Sequence, residues 1–302
     1  QPAGGDPHLR DARTGRPRVS RRDAGRRDGS SRLDADGFRR DAKKHLGQNF
    51  LHEKSVIEKI VLAIDPRPGD RIVEIGPGQG ALTLPLLDRH GALTAIEFDR
   101  DLLQPLAAAA QSHGELTLLN ANVLDVDFSA LAGDGVPGGR LRLVGNLPYN
   151  LSSPILFHAL DHAASIRDMH FMLQKEVVER MAAGPGSKVY GRLSVMLQAY
   201  CRVTPLFKVP PGAFRPAPKV DSAVVRLQPL PPAEVAVADR ARFAHVVRAA
   251  FGQRRKTLRN ALSGVVDAAA IEAAGLRPDA RAEQLSVAEF AALADTAAAG
   301  TD

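Results

Sequence analysis

The run RIVEI, Arg71 to Ile75, is followed at once by GPGQG and then by ALTLPLLDRH. A short apolar strand, a tight turn and a helical apolar spacing, in that order, admit few folds. The pattern then repeats. ALTAIE (92–97) reads as a strand and RDLLQPLAAAAQS as a helix; ELTLLNANVL begins as a strand and RLRLVG (140–145) is another. Strands alternating with helices at this spacing predict a doubly wound, mostly parallel α/β sheet. SVIEKIVLAI, Ser55 to Ile64, has helical spacing, with Ser55 as N-cap and Glu58 closing a capping box. DMHFMLQ and AVVRLQ supply later strands, PLPP (229–232) reads as a linker, and only helical patterns follow it.

The chain has 302 residues, 44% hydrophobic and 25% charged, enough for one large domain or a large and a small one. No stretch reaches the roughly 18–20 apolar residues of a membrane span. No apolar segment near the N-terminus reads as a secretory signal. The single cysteine, Cys201, lies among apolar neighbours and reads as a core thiol, which suits a reducing cytoplasm. The nine histidines show no ligand spacing, so no metal is expected. The net charge of +6 suggests nucleic acid, but residues 1–40 carry 11 Arg, 6 Asp and no Lys or Glu, hence +5 of it. That segment has almost no large apolar side chain and is expected to be a disordered tail.

Gly76, Gly78 and Gly80 let a ligand approach the backbone at a helix N-terminus. The dinucleotide fingerprint is G-x-G-x-x-G; here the third glycine comes one residue early, Glu74 precedes the first, and no basic group follows for a diphosphate. A bare glycine turn is generic. The E-x-G-x-G arrangement resembles the S-adenosylmethionine turn of Rossmann-like methyltransferases. Glu97, at the tip of the second strand, is placed to accept both ribose hydroxyls of a nucleoside cofactor. These residues suit adenosyl cofactors in general.

LVGNLPYNLSSPIL (143–156) is more selective. Its strand ends at the edge where ligands bind in open α/β sheets, so Asn146, Leu147, Pro148 and Tyr149 fall beside a transferable methyl. The N6 of adenine is a poor nucleophile because its lone pair is conjugated into the ring. Acceptors for both N6 hydrogens favour a more tetrahedral nitrogen. The Asn146 side-chain oxygen is one, and a backbone carbonyl near Leu147 the other. Pro148 removes an N–H and stiffens the chain, and Tyr149 offers a flat face to a base drawn from its stack.

With these motifs in order, the chain resembles the ribosomal RNA adenine N6-dimethyltransferases, in particular the bacterial small-subunit type, over about residues 43–290. The resemblance implies a Rossmann-like class I methyltransferase domain over 41–230 and a small all-helical, RNA-contacting C-terminal domain over 231–302. KKHLGQNFL assigns Asn49 and Leu51 to the cofactor. EIGPGQGALT assigns Gly76, with Gly78 beside it, and IEFDRDL assigns Glu97. NLPYNLSSPIL assigns Asn146 and Tyr149, and VPPGAFRPAPKVDSAVV assigns Phe214 as a second stacking ring. The family usually has Asp at the position of Asn122, where it accepts the cofactor's adenine amino group; an amide accepts without charge, so a weaker hold is implied.

AAFGQRRKTLRNAL (249–262) resembles the start of the helical domain. On one continuous helix Val247, Phe251, Leu258 and Leu262 form an apolar stripe. Arg248, Arg255 and Arg259 flank it, with Lys256 further round: a solvated face or a phosphate-contacting one. The loop 182–194 reads as a lid or a plain connection, and Arg192 as an RNA contact or a cap. The resemblance implies S-adenosyl-L-methionine as cofactor and small-subunit ribosomal RNA as partner, with two adjacent adenosines in a 3′-terminal hairpin as target. A large-subunit methyltransferase and an assembly factor acting by binding alone are the alternatives. A monomer is expected, since no helix face is unusually apolar.

Overall fold

The computed structural model describes Lys43 and residues 48–132, 140–253 and 255–299, with side chains to 296 in the last stretch. The Arg-rich segment 1–40 and its expected disorder lie outside the described residues, as do residues 44–47 of KKHLGQNFL.

In chain order the elements are β1 (Phe50–Leu51), α1 (Lys54–Ile64), β2 (Arg71–Ile75), α2 (Thr83–His90), β3 (Ala92–Glu97), α3 (Arg100–Ala110), β4 (Glu115–Asn120) and α4 (Phe128–Ala132). Then come β5 (Leu141–Asn146), α5 (Ser152–Asp161), β6 (Ile166–Gln174), α6 (Lys175–Ala182), α7 (Arg192–Gln198), β7 (Cys201–Val209), β8 (Phe214–Arg215) and β9 (Ser222–Pro229). Helices α8 (Arg240–Gly252), α9 (Leu258–Ala261), α10 (Ala268–Ala273) and α11 (Val287–Ala299) close the series.

The main sheet has the order β4-β3-β2-β5-β6-β9-β7. From β4 to β6 it is parallel, while β9 runs antiparallel to β6 and β7 antiparallel to β9. Parallel strands need helical crossovers, which cover both faces; hence the apolar, non-alternating β2, β5 and β6. Strand order reverses between β2 and β5, which opens a crevice at their C-terminal ends.

Three expectations need correction. Helix α1 starts one residue earlier than Ser55, and Glu53 is its N-cap, its carboxylate accepting from the Ser55 N–H (3.4 Å) and hydroxyl (3.0 Å). The longer glutamate reaches back to the second helical position, which is where Ser55 sits, so no box with Glu58 forms. Strand β7 had no reading in the sequence. Its Pro205 argues against a strand, yet β7 lies at the sheet edge, and its register shifts between Pro205 and Phe207. The expected continuous helix through Arg248 and Arg259 is broken: α8 stops at Gly252 and α9 starts anew after Thr257. Val247, Leu258 and Leu262 are nevertheless buried together.

The C-terminal helices share one core with α7: Phe243, Val246, Leu258, Ile271, Phe290 and Leu293 pack with Tyr190, Val195 and Met196. Edge-on ring pairs set Phe251 beside Tyr190 and Phe243 beside Tyr200. The stretch 182–194 therefore ends in α7 and is tied down at Tyr190, whose hydroxyl donates to the Leu285 carbonyl at 2.8 Å. Cys201 is buried, and burial pushes its thiol up to about 12, so it stays protonated.

At the opposite end of the sheet from the crevice, Arg142 on β5 is 4% exposed. It donates to both Asp168 oxygens (2.9 and 3.1 Å), to Asp70 (2.7 Å) and to the last carbonyls of α1, Ile64 (2.5 Å) and Asp65 (3.1 Å). One guanidinium thus fastens α1 and the entry of β2 to β5 and β6. Arg142→Ala leaves Asp70 and Asp168 buried without their shared cation. We expect a loss of about 3–5 kcal/mol in folding stability, read as a lower urea midpoint; an unchanged midpoint contradicts this account.

Candidate functional site

The crevice holds a cavity of about 340 Å³ lined by the tips of β2, β3 and β5, the glycine turn and the segment 48–51. Among its described lining residues there is no Lys, Arg or His, so nothing there answers a diphosphate. Its walls are mostly apolar (Leu51, Ile75, Ile96, Val123, Leu124, Ile155), with Glu74, Glu97, Asn122 and Asn146 among the polar side chains.

Glu97 ends β3 and is 6% exposed. Its Oε2 accepts the Gly78 N–H at 3.1 Å and its Oε1 the Asp99 N–H at 2.8 Å. Gly78 has φ +57°, and a Cβ there would sit 3.2 Å from the Phe50 ring. Glycine is thus required both for the turn and for the segment crossing over it. Burial raises the Glu97 pKa, and the backbone donors of Asp99 and Gly78 act against it. Glu74 is 2% exposed and accepts the Thr83 hydroxyl at 2.6 Å. Burial pushes it up to about 7, with the Glu97 charge adding to the rise.

Segment 48–51 is fastened at both ends. Leu51 pairs with Phe214 and Phe50 with Arg215 across β1 and β8. Gln48 donates to Asp99 at 3.0 Å, and the Lys43 ammonium meets Asp99 at 2.6 Å and Asp101 at 2.8 Å. Burial works to raise the Asp99 pKa, but the donors Lys43 and Gln48 outweigh it and hold the carboxyl below its usual value. Asn146, at the tip of β5, donates its Nδ2 to the Asn49 carbonyl at 3.0 Å. That bond fixes the amide, so Oδ1 faces away from Asn49. The Leu147 N–H donates to the Met172 carbonyl, and the Pro148 carbonyl accepts from the Leu151 N–H and the Ser152 hydroxyl. Pro148 thus turns the chain from β5 into α5. The half-buried Tyr149 lines the cavity, and its hydroxyl lies 2.7 Å from that of Ser222.

The cavity gathers Asn49, Leu51, Gly76, Gly78, Glu97, Asn122, Asn146, Leu147, Pro148 and Tyr149. Phe214 is not among them. It is 2% exposed and belongs to the same buried cluster as Leu51, Val209 and Val224, and its cross-strand partner Leu51 lines the cavity. Asn122 caps the turn 123–125: its Oδ1 accepts the Leu124 N–H (3.2 Å) and its Nδ2 donates to Asp125 (3.1 Å). Arg248, Arg255, Lys256 and Arg259 are exposed and lie away from the cavity lining. Sequence reasoning missed Gln48 and the exposed Phe98, which line the cavity, and the buried Asp99 that Gln48 grips. Asp99 is also the N-cap of α3.

Residues 39–299 match the family described as "Ribosomal RNA adenine dimethylase". The chain belongs to this family. A relative from Xanthomonas campestris pv. campestris (strain B100), "Ribosomal RNA small subunit methyltransferase A", is 70% identical over 85% of this chain and 97% of its own length. A counterpart from Xanthomonas axonopodis pv. citri (strain 306) is 69% identical over the same shares. Among solved structures, a dimethyladenosine transferase from Plasmodium falciparum superposes with a TM-score of 0.69 at 23% identity, over 80% of this chain and 95% of that one. The 23S rRNA methyltransferase ErmE gives 0.61 at 26% identity, over 82% and 99%. The fold is the Rossmann-like methyltransferase fold with helices appended at its C-terminal end.

The family's cofactor is S-adenosyl-L-methionine, and the donor set fits it. Apolar walls suit an adenine, the two acidic side chains suit a diol and a cationic sulfonium, and no basic group favours a phosphate. No group of His, Cys, Asp and Glu arranged to hold a metal ion occurs among the described residues. None of the described helices is long and apolar enough to cross a membrane.

The Glu74 carboxyl carries a stability signature. Its pKa rises on folding, so the folded state keeps a proton that the unfolded chain releases above about 4.5. Its contribution is complete below that value and is lost as pH rises through about 7. Glu74→Gln mimics the protonated form and still accepts from Thr83. Urea unfolding of the ligand-free protein at pH 5 and 8 should therefore show a smaller loss of stability with rising pH in Glu74→Gln than in the wild type. Equal losses would remove Glu74 as the source.

Proposed function

We propose that this chain dimethylates N6 of two adjacent adenosines in the 3′-terminal hairpin of small-subunit ribosomal RNA. In this reading it acts in the cytoplasm, as a monomer, during small-subunit biogenesis. The observation that carries the reading is the Asn146 amide: it is held by the Asn49 carbonyl (3.0 Å) in the same cavity as Glu97 and Tyr149. The 70% identity to a small-subunit methyltransferase, over nearly its whole length, favours the small subunit over the large.

When bound, S-adenosyl-L-methionine supplies an electrophilic methyl on a sulfonium. The chain's own residues hold and aim. Glu97 accepts the ribose hydroxyls, Glu74 holds Thr83 at the floor through its carboxyl, and Asn122 lies beside the adenine. Asn49 and Leu51 close over the top, and the glycine turn at Gly76 and Gly78 lets the ligand approach the backbone. Asn146 Oδ1 accepts one N6 hydrogen, and the Leu147 carbonyl the other. This draws the nitrogen lone pair out of conjugation and aims it. Tyr149 offers its face to the extruded base. An amide is no base at neutral pH, so Asn146 orients the amino group without deprotonating it.

Arg248, Arg255, Lys256 and Arg259, at the end of α8 and on and before α9, contact rRNA phosphates, since duplex RNA is read through shape and backbone.

The deciding assay is transfer of labelled methyl to undermethylated small subunits, with large subunits in parallel and products resolved as mono- and dimethyladenosine. Dimethyladenosine confined to the small subunit is expected. Label on the large subunit favours the alternative reading, and binding without label favours an assembly factor. Asn146→Ala should lower turnover at least a hundredfold, on the order of a lost transition-state hydrogen bond, while RNA binding persists; unchanged turnover removes Asn146 from this role. Charge reversal at Arg248, Arg255 and Arg259 should weaken rRNA binding and flatten its salt dependence, by about 0.7–0.9 in log–log slope for each phosphate no longer neutralised. An unaltered slope returns these side chains to a plain solvated face.

A further inference from the structure

The Tyr149 ring lines the cavity, but its hydroxyl points out of it. That hydroxyl lies 2.7 Å from the hydroxyl of Ser222, the first residue of β9. Ser222 is fully buried and does not line the cavity. It sits where three strands meet, paired with Gln174 of β6 and Val209 of β7. Its backbone position is therefore set by the sheet, and Tyr149 belongs to the turn between β5 and α5. A hydrogen bond at the phenol oxygen fixes where the ring's long axis points. Because the phenolic O–H prefers the ring plane, the partner biases that plane as well. Burial raises the Tyr149 pKa, with the Ser222 hydrogen bond opposing, so the phenol stays neutral.

We propose that Ser222 is a positioning residue for methyl transfer, acting through the Tyr149 hydroxyl to hold the ring as a platform for the target base. The inference rests on the adenine-methylation reading above and names a residue outside the cavity that serves it.

The test is a double-mutant cycle on the full chain with small subunits as substrate. Ser222→Ala should lower kcat about tenfold, the effect of one ordinary hydrogen bond. Affinity for S-adenosyl-L-methionine should stay unchanged, because Ser222 does not line the cavity. Tyr149→Phe keeps the ring and loses the hydroxyl, and should show a similar loss. In the Tyr149→Phe background, Ser222→Ala should cost nothing further. An equal loss in both backgrounds, accompanied by a lower Tm, means that Ser222 only supports the strand junction and overturns the proposal. Full kcat in Ser222→Ala also overturns it. If wild type labels neither subunit, the methylation reading itself fails. If wild type is active and Tyr149→Ala is unimpaired, the platform role fails. Each of these outcomes differs from an active wild type, an inactive Tyr149→Ala and a fully active Ser222→Ala, which rejects the Ser222 assignment alone.

Discussion

The reversal of strand order between β2 and β5 is the constraint on which the site depends. Strands β3 and β4 lie to one side of β2, and β5 and β6 to the other. Connections therefore leave β2 and β5 in opposite directions, and the space between their C-terminal ends stays open. Four of the cavity's polar side chains stand at that edge, while Gln48 and Asn49 come from the segment before β1. Glu74 is the penultimate residue of β2, Glu97 ends β3, Asn122 follows β4 and Asn146 ends β5. The buried Arg142 cluster does the complementary work at the opposite edge, tying α1 to β5 and β6 so that the strand tips hold their spacing.

Closure over the crevice comes from a segment remote in sequence. Phe50 and Leu51 pair with Phe214 and Arg215, Phe50 packs against the glycine turn, and the Asn49 carbonyl takes the Asn146 amide. The same short stretch covers the cavity and sets the orientation of the Asn146 amide. Asp99, gripped by Gln48, links that cover to Glu97 at the end of β3.

The electrostatics explain the choice of ligand. Burial makes Glu74 and Glu97 hold their protons more tightly, so a bound cation would favour their ionised forms, whereas an anion would meet two acidic side chains and, among the described lining residues, no Lys, Arg or His. The cationic side chains Arg248, Arg255, Lys256 and Arg259 stand instead on the helices after β9, exposed to solvent. The crevice and this exposed cationic face thus differ in charge.

Much of this was legible in the chain before folding. The strand–glycine turn–helix run at 71–90 set the sheet type, because only alternating strands and helices can bury such strands on both faces. Glu97 and Asn146 were legible because strand ends in such sheets face the ligand. Local spacing could not show what distant segments do to one another. The edge strand β7 was hidden by Pro205, tolerable only where no neighbour needs the missing N–H. The break between α8 and α9 falls at Gly252, the residue the sequence offers for it, and the apolar stripe stays buried across it. The burial of Phe214 beside Leu51 was not legible in its motif, because only the pairing of β1 with β8 joins the two. Asn49, Asn146, Tyr149 and Ser222 were read from sequence as separate letters of motifs. Their hydrogen bonds join residues 73 or more positions apart, and only the closed sheet brings such residues within reach of one another.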